Sequence, residues 1–384
     1  MLGGTGKCQF IVQDFSLPCA ASRRRTVFAL LTCLTTRQGY KKTRKWHFSA
    51  PSGQRPRVRA LGSEPSGINP PGGKSGRRSY GSGGVNMKKT IQFIVITCLV
   101  SWAVAGTAIL LGLRIENMVA YTIFGAAYMF SPAVCAIVLQ IIHKERPFRE
   151  LGVSFRLNPW FIVAGITPII YTYLTLGINL LLPNVSFSAT ADGFLASLPA
   201  ELAESAAQQI AQFPPAVFML MQTVNALIAG YTINALFAFG EELGWRGYLL
   251  REMKGKKFLH VSLVMGVVWG LWHFPLILLG HNYPENSVAG VGMMVVWCVL
   301  LSPVMTYITI KSKSVVTAAV FHGSVNAIGG ICGLYLVGGN DLTNGVTGVA
   351  GFIALLLVNL AFLLYDKHVT KECVFFSKVG MDAQ

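Results

Sequence analysis

Six ionisable or amide residues of this chain lie in or directly against long apolar runs: Glu241, Glu242, Arg246, His273, His322 and Asn326. At membrane depth such groups cost several kcal/mol unless they face the interior of a bundle and are paired, so their spacing is the most informative feature of the sequence. On a helix, Glu242 and Arg246 stand four residues apart on one face, the spacing of an ion pair. Glu241 is turned about 100° away, which leaves its carboxylate free for a partner on another helix. His322 and Asn326 are likewise one turn apart and can point into one cavity. A carboxylate with a histidine can deprotonate a water, while a second imidazole and an amide can donate to a developing oxyanion. Converging in a dry site, these groups suit hydrolysis.

Convergence is geometrically reasonable. At ~1.5 Å per helical residue, Glu241 lies roughly 15 Å from Arg251, His322 about 12 Å from Ser314, and His273 roughly 18 Å from Val261. Each reference residue stands near an expected inner end of a span, so the three clusters can share one depth nearer the cytoplasmic face.

The elements that must hold these residues are membrane helices. Of 384 residues, 53% are hydrophobic and 12% charged, with a mean hydropathy of +0.53, against about 25% charge in soluble domains. That balance excludes a water-soluble globular protein. The net charge of +16 does not indicate nucleic acid, because residues 1–86 hold 15 Lys and Arg against 2 acids, and the remainder holds 17 against 14. Apolar runs of helical length lie at 91–113, 118–142, 160–182, 216–240, 258–280, 288–310, 315–336 and 346–365. The expected fold is all-α, a polytopic bundle of eight spans over residues 87–366, with a short cytoplasmic tail at 367–384. Placing the Met87 end inside puts Lys88, Lys89, Lys144, Arg146, Arg149, Arg156, Arg246, Arg251, Lys254, Lys256, Lys257, Lys311, Lys313, Lys367, Lys371 and Lys378 on the inner side. Arg114 alone is outside. The positive-inside rule therefore sets both termini in the cytoplasm.

Residues 1–86 read as a disordered basic leader, rich in Arg, Gly, Ser and Pro. Two origins remain open for it: an organellar transit peptide, or an over-extended gene model upstream of a bacterial start at Met87-Lys88-Lys89. The second is preferred, which makes the expected location a bacterial cell membrane. In the one long outer loop, 183–215, Leu202, Ile210 and Phe213 recur on one side of a helix suited to the outer bilayer surface. Three of the eight cysteines are in the leader and no C-x-x-C pair occurs, which argues against disulfides and thiolate metal sites. His143, His260, His281 and His368 are expected to be non-catalytic, Trp272 to pack between helices, and Pro132 and Pro303 to kink their spans.

The pattern E-E-x-x-x-R at Glu241, Glu242 and Arg246, then aromatic-x-x-x-H at Trp269 and His273, then H-x-x-x-N at His322 and Asn326, resembles the CAAX protease and bacteriocin-processing (CPBP, or Abi) family of intramembrane endopeptidases. The likeness covers roughly residues 90–366, with Trp269 where the family usually has Phe. It implies that Glu241 and His273 activate water, that His322 and Asn326 form the oxyanion hole, and that Glu242 and Arg246 support them. It also implies a peptide or membrane-protein substrate reached within the lipid bilayer, and no cofactor. Two other functions stand beside this one. A zinc-dependent version would use Glu241, His273 and His322 as ligands. A non-catalytic version would be a transporter with a proton relay or a bacteriocin-immunity protein that binds a peptide, although no internal repeat of the kind transporters carry is visible.

Overall fold

The computed structural model describes residues 87–112, 118–148 and 150–380. The basic leader, the connection carrying Arg114, and Arg149 lie outside the described residues. The first three helices follow the apolar runs closely: α1 (Met87–Leu110), α2 (Met118–Ile142) and α3 (Pro159–Asn179). The start of α3 is set locally, since Pro159 occupies the first helical position and the Asn158 side chain accepts from the Trp160 N–H at 3.0 Å. A short strand β1 (Val185–Phe187) and two helices, α4 (Asp192–Ser197) and α5 (Ala200–Ile210), fill the long loop.

The region expected as a fourth span is broken. Helix α6 (Pro215–Tyr231) ends at Thr232, whose φ of −118° and ψ of −100° interrupt the helix, and α7 (Ile233–Glu242) restarts at once. A π-helical stretch, Leu243–Leu249, and one turn, α8 (Leu250–Glu252), continue it. The expected fifth span is broken too: α9 (Phe258–Trp272) stops beside Pro275, and α10 (Phe274–Leu278) restarts from His273. The chain goes on through α11 (Ser287–Ser312), α12 (Val315–Ile328), α13 (Gly330–Tyr335), strand β2 (Leu336–Gly338), which pairs antiparallel with β1, and α14 (Val349–Leu364). Among the described residues, six helical segments are long and apolar enough to cross a membrane, or seven if the bent pair α5 and α6 counts as one span. The helical, multi-pass architecture stands, with the short β1–β2 pair as its one addition among the described residues. Eight is an approximate number, because two of the runs are divided by breaks that hydropathy does not register.

Small residues let the site-bearing helices approach their neighbours. A Cβ placed on Gly240 would stand 2.7 Å from the Met129 carbonyl oxygen of α2, and one on Gly244 would stand 2.5 Å from Pro132 Cβ. Gly266 and Gly270 bring α9 equally close to Val299 and Val295 of α11. Helix α12 runs through the middle, packed by α3, α6 and α7, and is buried along nearly its whole length. At the end where α12 begins, residues 374–379 fold back on the start of α9: Phe258 N–H donates to Ser377 O at 3.0 Å, Gly255 N–H to Val379 O at 2.8 Å, and Val379 N–H to Lys256 O at 2.9 Å. The β1–β2 pair closes the opposite end.

Candidate active site

Glu241 and Glu242 close α7 just before the π-helical stretch, and both are buried, as are Arg246, His273 and His322. Asn326, one turn further along α12 than His322, is half-buried. Arg246 Nη1 donates to Glu242 Oε1 at 3.1 Å, and Nη2 donates to Ser302 Oγ of α11 at 3.2 Å. The same Glu242 oxygen accepts from His322 Nδ1 at 2.9 Å. One carboxylate therefore ties α7, the π-helical stretch and α12 together, and Ser302 extends the link to α11. Because Arg246 is enclosed here, it does not belong to the inner basic loops in which its charge was counted.

The other carboxylate is held by Trp269. Its indole Nε1–H donates to Glu241 Oε2 at 2.8 Å, and its backbone carbonyl accepts from His273 Nδ1 at 2.8 Å. The Arg246 guanidinium lies 4.6 Å from the centre of the indole ring, a cation–π contact. The imidazole of His322 meets that ring edge-on at 5.2 Å, and the imidazole of His273 lies 5.7 Å away. Glu241, Arg246, His273 and His322 are thus gathered around one aromatic side chain. No hydrogen bond joins Glu241 directly to His273 among the described residues, and Asn326 has no hydrogen-bond partner there.

These contacts fix the imidazole tautomers by elimination. A carbonyl can only accept, so His273 Nδ1 carries a proton, and a neutral ring leaves Nε2 as an acceptor. His322 Nδ1 donates to a carboxylate, so its Nε2 carries a hydrogen only when the ring is an imidazolium. The arrangement supplies a carboxylate and a neutral imidazole able to take protons, and an imidazole and a carboxamide able to face an oxygen. Among the described residues, no group of three or more His, Cys, Asp or Glu side chains is gathered closely enough to hold a metal ion. Glu241 accepts from the indole N–H of Trp269, and His273 donates to its backbone carbonyl.

Three participants were not identified from the sequence. Trp269 entered only as the aromatic residue of the second motif, Ser302 not at all, and the π-helical winding of 243–249 leaves no mark in composition. Ser302 carried a usable signal, as a hydroxyl beside Pro303 in the middle of an apolar span. Trp272, expected to pack, does so: Tyr128 OH donates to its carbonyl at 2.6 Å, and its own Nε1–H donates to Ser101 Oγ at 2.6 Å. His281 lies beyond α10 and is half-buried, and His143 bonds Gln92 at 3.0 Å near the tail end of the bundle.

Residues 217–328, which contain all six site residues, match the family described as type II CAAX prenyl endopeptidase Rce1-like. A segment of 151 residues is 32% identical to CAAX prenyl protease 2 of Methanococcus maripaludis, covering 38% of this chain and 51% of that protein. The chain thus spans about half the length of the curated relative it matches. The likeness to the CPBP intramembrane proteases read from the three motifs is supported by both comparisons.

Proposed function

We propose that this chain is an intramembrane endopeptidase in which Glu241 and His273 activate a water and His322 and Asn326 hold the oxyanion of the tetrahedral intermediate. The observation that carries the proposal is the gathering of Glu241, Arg246, His273 and His322 around Trp269. The indole N–H leaves one oxygen of Glu241 for water, and the carbonyl of Trp269 turns His273 so that Nε2 can accept a proton. Water attacks the scissile carbonyl carbon as its proton passes to Glu241. Charge accumulates on the carbonyl oxygen, where the Asn326 amide and protonated His322 donate. Collapse breaks the C–N bond, and the proton held by Glu241 passes to the departing amine. Glu242 and Arg246 act by position, holding His322 through Glu242 Oε1.

The substrate is a peptide segment of a membrane-associated protein or peptide precursor, and the name of the archaeal relative makes farnesylated CAAX peptides the first to assay. The test is mass spectrometry of such peptides incubated in liposomes with wild type and with Glu241→Gln. Products are expected from the wild type alone. Equal yields from both proteins would remove Glu241 as the base.

A further inference from the structure

None of the motif residues lies on α1 or α2, yet side chains of both helices converge on the residue that precedes His273. Helix α9 ends at Trp272, and the last carbonyls of a helix have no intrahelical partner. At this break they find other donors. Gly270 O accepts from the His273 N–H at 3.2 Å, and Trp269 O accepts from His273 Nδ1 at 2.8 Å. Trp272 O accepts from Tyr128 OH of α2 at 2.6 Å and from Trp102 Nε1–H of α1 at 3.2 Å.

The Trp272 side chain is held by the same two helices. Its Nε1–H donates to Ser101 Oγ of α1 at 2.6 Å, the Ser101 and Ser131 hydroxyls are 2.5 Å apart, and Ser131 Oγ donates to Tyr128 O at 2.7 Å. Pro132 explains that last bond, because a proline has no N–H to give the carbonyl four residues before it. A closed circuit thus runs from Trp272 Nε1 through Ser101, Ser131 and Tyr128 back to Trp272 O, and all four residues are buried. The Tyr128 ring lies 4.4 Å from the Trp272 ring, which in turn meets the His273 imidazole edge-on at 4.8 Å.

A peptide unit is planar and includes the Cα of the residue that follows. Donors on Trp272 O and an acceptor for the His273 N–H therefore grip both sides of the plane that carries His273 Cα. The bond from Nδ1 to Trp269 O then fixes the turn of the ring. We infer that Tyr128 is a positioning residue for His273, acting through the backbone: its hydroxyl holds the Trp272–His273 peptide so that His273 Nε2 meets the attacking water. Such precision matters, since a misplacement of ~1 Å can cost about 10²-fold in rate. The inference rests on the endopeptidase reading for the water and its target.

Tyr128→Phe tests it, because the variant deletes the hydroxyl and keeps the ring against Trp272. Amide hydrogen exchange in detergent micelles, read by mass spectrometry, should be about fivefold faster in peptides covering residues 270–276, the scale of one net hydrogen bond, and unchanged in α12. With a farnesylated CAAX peptide, kcat should fall about tenfold while KM stays within about twofold, since the base is displaced and uniform binding is not lost. Trp102→Phe deletes the longer bond and should move both readouts the same way by a smaller factor. Tyr173→Phe removes a comparable hydroxyl, bonded to Thr223 Oγ1 at 2.6 Å between α3 and α6, and should leave kcat unchanged. Exchange that does not respond to Tyr128→Phe overturns the clamp. Faster exchange with unchanged kcat, or an equal loss of kcat in Tyr173→Phe, overturns its part in placing His273. A wild type that cleaves no peptide, while exchange still responds, overturns the endopeptidase reading and with it the purpose assigned to the clamp.

Discussion

Trp269 donates the one hydrogen bond that Glu241 receives among the described residues, and the same residue orients His273 through its backbone. Trp269→Phe keeps the ring and the carbonyl but removes the N–H, so it separates these two duties. We expect turnover to fall roughly tenfold, the scale of one hydrogen bond to a charged group, with little change in melting temperature. Full activity in purified Trp269→Phe would remove the indole from the mechanism. Asn326→Ala deletes an oxyanion donor and should cost on the order of 10² to 10³ in turnover with unchanged peptide affinity, read by kinetics and equilibrium binding. Glu242→Gln has a different signature, because it takes the charge from the buried partner of Arg246 and His322. A loss of about 3 to 5 kcal/mol, typical of breaking a buried pair, would appear as a lower melting temperature alongside lower activity. At this scale the sequence was partly legible: the four-residue spacing of Glu242 and Arg246 announced their pairing. The contact of His322 with Glu242 was not readable, since it depends on how α7 and α12 are set side by side.

Helix contacts decide where Glu241 points. Gly240 and Gly244 flank the glutamate pair and lie against α2 so closely that a methyl group at position 244 would stand 2.5 Å from Pro132 Cβ. Gly244→Ala should therefore lever α7 away from α2, destabilising the protein by about 1 to 3 kcal/mol through overpacking. Activity should fall further than stability alone explains, because Glu241 moves with α7. Melting curves and turnover measured together check this, and an active, fully stable Gly244→Ala would show that the interface yields. The helices themselves were legible because a membrane helix needs a long apolar run. The break at Thr232 was not, since residues 216–240 remain apolar through it, whereas the one at His273 left its mark in Pro275, which hydropathy does not weigh. The π-helical stretch was hidden for a related reason: a wheel drawn at 100° per residue assumes the winding it is meant to test.

Across the whole molecule, charged residues collect at one end of α1, α2 and α8. Glu145, just past α2, accepts from Lys89 of α1 and from Arg251 of α8, the latter at 2.7 Å. Partial burial pulls its carboxyl upward, but the Lys89 and Arg251 contacts outweigh this and hold it below the ordinary carboxylate range. A depressed folded-state value means that the contribution to stability is complete above the unfolded value, near 4.3 for Glu, and is lost as pH falls through the folded one. Acid melting of the wild type should therefore steepen below about pH 4, and Glu145→Gln should flatten that part of the profile. Identical profiles would show that the cluster adds nothing. The basic residues at this end also motivate placing it in the cytoplasm: reporters inserted after Gly380 and between Pro183 and Pro215 should register opposite sides of the membrane.

The seam between residues 374–379 and the start of α9 joins parts of the chain about 120 residues apart. The intervening loop contains His273, His322 and Asn326. During synthesis the ribosome must deliver every helix from α9 to α14 before the seam can be sewn, so α9 enters the bilayer with its first turn unanchored. Until then α9 must be held in register by its contacts with α11 at Gly266 and Gly270 and by the hydrogen bonds of Trp269 and Trp272 to α7, α1 and α2. A ribosome stalled before residue 374 would display this interval as a protease-sensitive site at residues 254–258, closed again once the remaining residues emerge.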